Sequence, residues 1–211
     1  MAVTERDLSQ GKLTESVFKD EELKPQPYRW SRAQFYEMGE TGLFEGQKAI
    51  LMEGEILVMP PMNPPHQGVI TIVADLLRTA FGAGYVIREQ GPFNVGMDTD
   101  PEPDIAVVRG QMRDFLLMHP TTAALIVEVS WSTLRYDRRE KASLYAKSGI
   151  PEYWIINIEQ DSPQVEVHRR PMRDEEQVYG FGYGERIIHL AGELIQPLNT
   201  AKPVAVTALL P

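Results

Sequence analysis

Cysteine is absent from the 211 residues, which excludes a disulfide framework, a thiolate zinc site and a cysteine nucleophile. No uninterrupted apolar run approaches the roughly 20 residues that a membrane helix needs. The opening MAVTERDLSQGKLTESVFKDEELK is polar where a signal peptide would carry an apolar core. The expectation is a soluble, unexported, cytoplasmic protein with no membrane partner. Positive charge is in deficit as well: 21 Lys and Arg against 30 Asp and Glu give a net charge of −9, which argues against a broadly cationic surface that holds nucleic acid unaided. Internal repeats and low-complexity tracts are also missing.

What is present is an ordinary globular composition, 43% hydrophobic and 24% charged, long enough for one domain with arms. Residues 1–26 mix charges with isolated apolar residues and end in Pro25 and Pro27, the pattern of a flexible or peripheral arm, which leaves 27–211 as a single domain. Ser31 is placed to cap a short helix over SRAQFYEMGE. Ala49–Met59 reads as a hairpin turning at Glu53 and Gly54. Pro60, Pro61, Pro64 and Pro65 form a stiff connection. An amphipathic helix is then predicted over His66–Phe81, with Val69, Val73, Leu76, Leu77 and Ala80 on one face.

Tyr85–Glu89, Pro92–Val95 and Ile105–Val108 read as a meander of short strands, followed by an irregular or briefly helical excursion over Gln111–Pro120. Ala123–Val129 is the most strand-like run. A helix over Asp137–Ser148 is stopped by Gly149 and Pro151, and a core strand follows over Tyr153–Ile158. Strand, helix, strand with a buried first strand favours a right-handed crossover between parallel neighbours. Gln164–His168, Gln177–Tyr179 and Arg186–His189 suggest half-exposed antiparallel strands around a Gly-rich turn, FGYGE, and the Pro-containing ending an irregular segment packed across the domain.

Two carboxylates stand out. Glu128 lies inside LIVEV and Asp104 opens the run DIAVV after Pro103; unpaired carboxylates are costly to bury, so such groups usually pair or bind metal. Magnesium prefers hard oxygen ligands and is commonly held by one or two carboxylates together with waters and phosphate oxygens. Asp104 and Glu128 supply that minimum if their strands are neighbours, with the Val129 carbonyl as a third oxygen. A lysine would complete the site by orienting a water or stabilising charge on an attacked phosphate. Lys141 is the candidate, because Asp137, Lys141, Tyr145 and Ser148 share one face of a helix that drops back across the Glu128 strand. Plainer readings stand beside these: an exposed Asp137–Lys141 ion pair worth about 0.3–0.5 kcal/mol, Tyr145 and Tyr153 as core aromatics, and His66 as an exposed or capping histidine. Arg135, Arg138 and Arg139 crowd one segment, either as a solvated face or as a weak nucleic-acid patch.

PEPDIAVV followed by LIVEVSWSTLRYDRREKASLYAKSGIPEYWIIN resembles the Uma-two family of endonucleases, within the restriction-endonuclease-like PD-(D/E)xK superfamily; the likeness runs over about Ser31 to Leu190, and MEGEILVMPPMNPPHQ shares it. The resemblance implies an α/β (α+β) fold, a mixed β-sheet flanked by helices with additional antiparallel strands. It also implies Mg2+ (or Mn2+)-dependent hydrolysis of DNA phosphodiester bonds, with Asp104 and Glu128 as metal ligands. The superfamily lysine normally lies two residues after the second carboxylate, where this chain has Ser130, and the resemblance implies that Lys141 replaces it. The family also often carries a glutamate where this chain has Ile50, which leaves Glu53 or Glu55 as substitutes. Ser130, Asp137, Tyr145 and His66 complete the supporting set. Three functions follow from these readings: a magnesium-dependent endonuclease, a nuclease-fold binding or assembly module without turnover, and a hydrolase of another phosphoester. A homodimer would suit a cutter of duplex DNA.

Overall fold

The computed structural model describes residues 25–61, 63–159, 161–200 and 202–211. Most of the expected arm therefore lies outside the described residues; Pro25 and Gln26 are exposed and have no regular structure. Helix α1 (Arg32–Glu40) starts where its cap predicts: Ser31 Oγ accepts the Gln34 N–H and the Gln34 side chain accepts the Ser31 N–H. Strands β1 (Lys48–Met52) and β2 (Glu55–Met59) form an antiparallel hairpin. Both turn residues, Glu53 and Gly54, have positive φ, and a Cβ on Gly54 would lie 2.8 Å from that of Arg29, so the turn needs glycine on two counts.

Helix α2 (Pro64–Phe81) begins two residues earlier than the apolar spacing alone suggests. Pro64 and Pro65 belong to the helix, not to the connection before it. The first turn has no use for their missing N–H groups, and Asn63 caps the His66 N–H at 3.0 Å. Strands β3 (Tyr85–Glu89) and β4 (Ile105–Arg109) pair antiparallel. Pro92–Val95 is not the strand expected from its composition: the Phe93 and Asn94 N–H groups go to Pro101 and Pro120 carbonyls, and no ladder forms.

Strand β5 (Leu125–Ser130) leads into one helical segment made of α3 (Leu134–Tyr136), a π turn (Asp137–Lys141) and α4 (Ala142–Lys147). The helix therefore starts three residues before Asp137. Gly149, at φ +71°, closes it as expected. Strands β6 (Glu152–Asn157), β7 (Gln164–Arg173) and β8 (Phe181–His189) follow. FGYGE begins β8 and is not a turn; Gln177–Tyr179 is turn and not strand. Gly182 lies opposite Met172, and a Cβ on Gly184 would come within 2.9 Å of the Met172 sulfur. The glycines therefore serve strand packing. The ending is more regular than predicted, a small antiparallel pair of β9 (Leu194–Ile195) with β10 (Val204–Ala205), then α5 (Val206–Leu209) against α2.

The main sheet has the order β3-β4-β5-β6-β7-β8. Only β5 and β6 are parallel within it, as the helix between them requires. Leu125, Val127, Val129, Trp154 and Ile156 face α2, while Ile126, Tyr153 and Ile155 face the 134–147 helix and the β1–β2 hairpin. β5 and β6 are buried on both faces, which explains their unbroken apolar runs. The fold is thus a mixed sheet flanked by helices with additional antiparallel strands.

Candidate active site

The β4–β5 register pairs Ile105 with Val127; continued by one residue, it brings Asp104 opposite Glu128. The Asp104 N–H reaches toward Glu128 Oε2 at 3.4 Å, and the Val129 N–H donates to Asp104 Oδ2 at 2.9 Å. Glu128 projects to the helix side of the sheet. There Lys141 Nζ lies 2.8 Å from Oε2 and the Tyr145 hydroxyl donates to Oε1 at 2.7 Å. Asp137 holds the same ammonium at 3.1 Å, and Thr133 donates to Asp137 Oδ2 at 2.7 Å. His66 Nε2 stands 3.0 Å from Asp104 Oδ2.

The π turn is the local device that makes this set. Its widened register, in which the Ala142 N–H also reaches the Asp137 carbonyl, carries both Asp137 and Lys141 on the buried side, and the Tyr153 hydroxyl pins the Asp137 carbonyl from below at 3.1 Å. The Asp137–Lys141 pair is therefore buried and joined to Glu128, not an exposed helix pair. Tyr145 and Tyr153 are core aromatics whose hydroxyls are committed to the site. His66 is neither exposed nor a cap, since its ring faces Asp104.

Burial drives the Glu128 carboxyl upward, and the charges of Asp104 and Asp137 add to the rise against Lys141. Asp104 goes the other way: its burial is outweighed by the His66 hydrogen bond and the Lys141 charge, and its pKa is lowered. Lys141 is held above the ordinary lysine value, because Glu128, Asp137 and Asp104 overcome its burial. His66 is likewise raised by Asp104 and Glu128 despite burial. The site thus pushes the pKa values of two neighbouring carboxyls in opposite directions beside one cation.

Among the described residues no group of three or more His, Asp or Glu side chains forms a metal cluster. The donor set nevertheless suits a hard cation that keeps waters: Asp104, whose Oδ1 makes no hydrogen bond among the described residues, lines a cleft with His66, Val129, Lys141 and Tyr145, and the buried Glu128 stands beside it on the adjacent strand. The remaining sequence candidates fall elsewhere. Ser130 is buried and its hydroxyl meets Thr133 at 3.5 Å. Glu53 is bound by Lys147 and Glu55 by Arg29, each at 2.6 Å, so neither joins the pair, while Ile50 does line the cleft. Arg138 is turned to the buried Glu166 at 2.9 Å, whereas Arg135 and Arg139 are exposed. Sequence reasoning missed Thr133 and, at the cleft wall, Trp131, Lys48 and Glu102. The hydroxyl-rich WST following an apolar strand was the available signal.

The model of the Uma2 family, described as "Putative restriction endonuclease", matches residues 32–199. No curated protein matches the chain. Among solved structures, the chain is similar to one described as a putative nuclease belonging to DUF820 from Anabaena variabilis, with 15% identity and a TM-score of 0.64 over 87% of this chain and 97% of that one. That likeness supports the fold. The sheet and the family match together show that the chain belongs to the Uma2 family of restriction-endonuclease-like proteins.

Proposed function

We propose that the protein is a magnesium-dependent endonuclease that hydrolyses DNA phosphodiester bonds at the Asp104–Glu128 cleft. The observation that carries this reading is the meeting of Lys141 with Glu128 at 2.8 Å, directly beside Asp104 on the neighbouring strand. Lys141 thereby occupies from the helix the role that a lysine two residues after Glu128 would play. Asp104, Glu128 and the Val129 carbonyl would hold Mg2+ or Mn2+, which when bound lowers the pKa of a water and offsets phosphate charge. Lys141 orients the attacking water or stabilises the charge developing on the phosphorus oxygens. Tyr145 and His66 fix the two carboxylates, and Asp137 with Thr133 fixes Lys141.

The test is cleavage of supercoiled plasmid and labelled single-stranded DNA with magnesium or manganese, by wild type, Glu128→Ala and Lys141→Ala, each first checked for folding by circular dichroism. Metal-dependent cutting that is lost in Glu128→Ala and falls roughly 10²- to 10³-fold in Lys141→Ala is expected. Retained cutting in folded Glu128→Ala would refute the assignment. A second reading, a nuclease-fold binding module with weak or no turnover, is favoured by one feature: the hairpin presents Ile50 to the cleft and no carboxylate. It predicts no cutting under any of these conditions.

A further inference from the structure

The chain has three tryptophans, and they are used differently. Trp154 is fully buried and its indole donates to Glu152 at 3.1 Å. Trp30 packs edge-on against Tyr28 at 4.7 Å. Trp131 follows β5 directly, is 38% exposed, and has neither a ring partner nor a hydrogen bond among the described residues. Its side chain lines the same cleft as Asp104, Lys141 and Tyr145, together with the apolar rings of Pro60 and Pro61. What sets Trp131 apart from the other exposed apolar side chains is its place: a partly open indole, the group on which bases stack, stands in the wall of the cleft that holds Asp104 and Lys141.

We infer that Trp131 is a stacking platform for an unpaired nucleobase next to the phosphate held at the carboxylates, which makes single-stranded or locally opened nucleic acid the substrate class. The inference rests on the nuclease reading and deepens it. Two features of the chain favour a base over a bare phosphate as the group recognised. The net charge of −9 leaves little general attraction for the backbone. The two lysines that line the cleft are already paired, Lys48 with Glu102 at 3.2 Å and Lys141 with Glu128 at 2.8 Å. Stacking draws on the base face, tolerates any sequence, and survives salt that screens phosphate contacts. A duplex with every base paired offers no face to Trp131, so it must open or be bound less well.

The experiment is fluorescence anisotropy of labelled single-stranded, duplex and abasic single-stranded oligonucleotides with wild type, Trp131→Ala and Trp131→Phe, in EDTA and again in calcium. Cleavage of plasmid and of labelled single-stranded DNA in magnesium is scored separately. Wild type should bind the intact strand more tightly than the abasic strand or the duplex. Trp131→Ala should lose roughly 5- to 150-fold on the intact strand and little on the abasic one, and Trp131→Phe should recover most of the loss. Equal binding of intact and abasic strands, or no effect of Trp131→Ala, overturns the inference and leaves the nuclease reading in place. Base-dependent binding through Trp131 by a protein that cuts nothing supports the stacking site and overturns the nuclease reading. Binding of no strand in either buffer overturns the stacking site.

Discussion

Glu128, Glu152 and Glu166 are buried carboxylates on central strands, and their partners separate them. Glu152 is met by Arg169 at 2.6 Å and by the Trp154 indole, and Glu166 by Arg138 and Arg186 at 2.9 Å. Arginine forks satisfy a carboxylate geometrically and leave little for a metal. Glu128 instead meets a lysine and a tyrosine hydroxyl, with a second carboxylate alongside. By calorimetry, Asp104→Asn and Glu128→Gln should each weaken magnesium binding at least tenfold, following the weight of a ligand charge, while Glu152→Gln and Glu166→Gln should leave it unchanged in whatever fraction remains folded. Tyr145→Phe removes the donor to Glu128 Oε1 and should cost about 1–3 kcal/mol in urea unfolding, the penalty of an unsatisfied buried acceptor. A loss below the measurement error would mean that the hydroxyl is not needed there. A carboxylate inside an apolar run was the signal that picked out Glu128 in the sequence. VEV around Glu166 carries the same signal, so the pattern marks buried carboxylates in general, and the distant partner decides their role. The partner of Asp104, His66, comes from a helix that only the folded chain brings near.

At the scale of elements, the helix between β5 and β6 was legible from its stop signals, Gly149 and Pro151, and from its apolar spacing. Its π turn was not. DRREK contains no residue that favours a wide turn over an α turn, and the choice is made by tertiary ties: Arg138 to Glu166, Tyr153 to the Asp137 carbonyl, and Lys141 to Glu128. Likewise FGYGE has the composition of a turn, yet the cross-strand neighbour Met172 makes its glycines strand residues. Arg138→Ala should leave Glu166 its contact with Arg186 and cost about 1.5–3 kcal/mol, as for hydrogen bonds to charged groups. It should also lower cleavage, because the turn carrying Lys141 loses its anchor. Unchanged activity in a destabilised Arg138→Ala would assign Arg138 to stability alone. Gly149→Ala meets no atom within 4 Å, so only backbone strain at φ +71° should count, about 1–2 kcal/mol; Gly149→Asn should cost less.

Over the whole molecule, the parallel β5–β6 pair followed from the chain's own punctuation but the full strand order did not, and the cleft depends on four segments far apart in sequence: the hairpin, the start of α2, residues 101–104 before β4, and the β5–helix unit. Acid stability is set partly away from the cleft. Burial raises the Glu166 carboxyl, but His168, Arg138 and Arg186 outweigh it and bring it to about 2 from 4.5. A carboxylate lowered in the folded state stabilises fully above its unfolded pKa, and that contribution is lost as pH falls from about 4.5 toward about 2. Wild type should therefore exceed Glu166→Gln in stability at neutral pH by on the order of 2 kcal/mol, and the gap should close across that acid window. A gap independent of pH would remove charge pairing as its cause.

The most direct measurement for the account as a whole is the initial rate of plasmid nicking as magnesium is raised from none, in wild type and in Asp104→Asn. A metal-dependent centre at Asp104 and Glu128 should give no nicking in EDTA, a saturable rise in wild type, and a rise displaced to much higher magnesium, or absent, in the variant. Nicking in EDTA, or identical magnesium curves for the two proteins, would contradict the assignment of the Asp104–Glu128 pair as the metal-dependent centre.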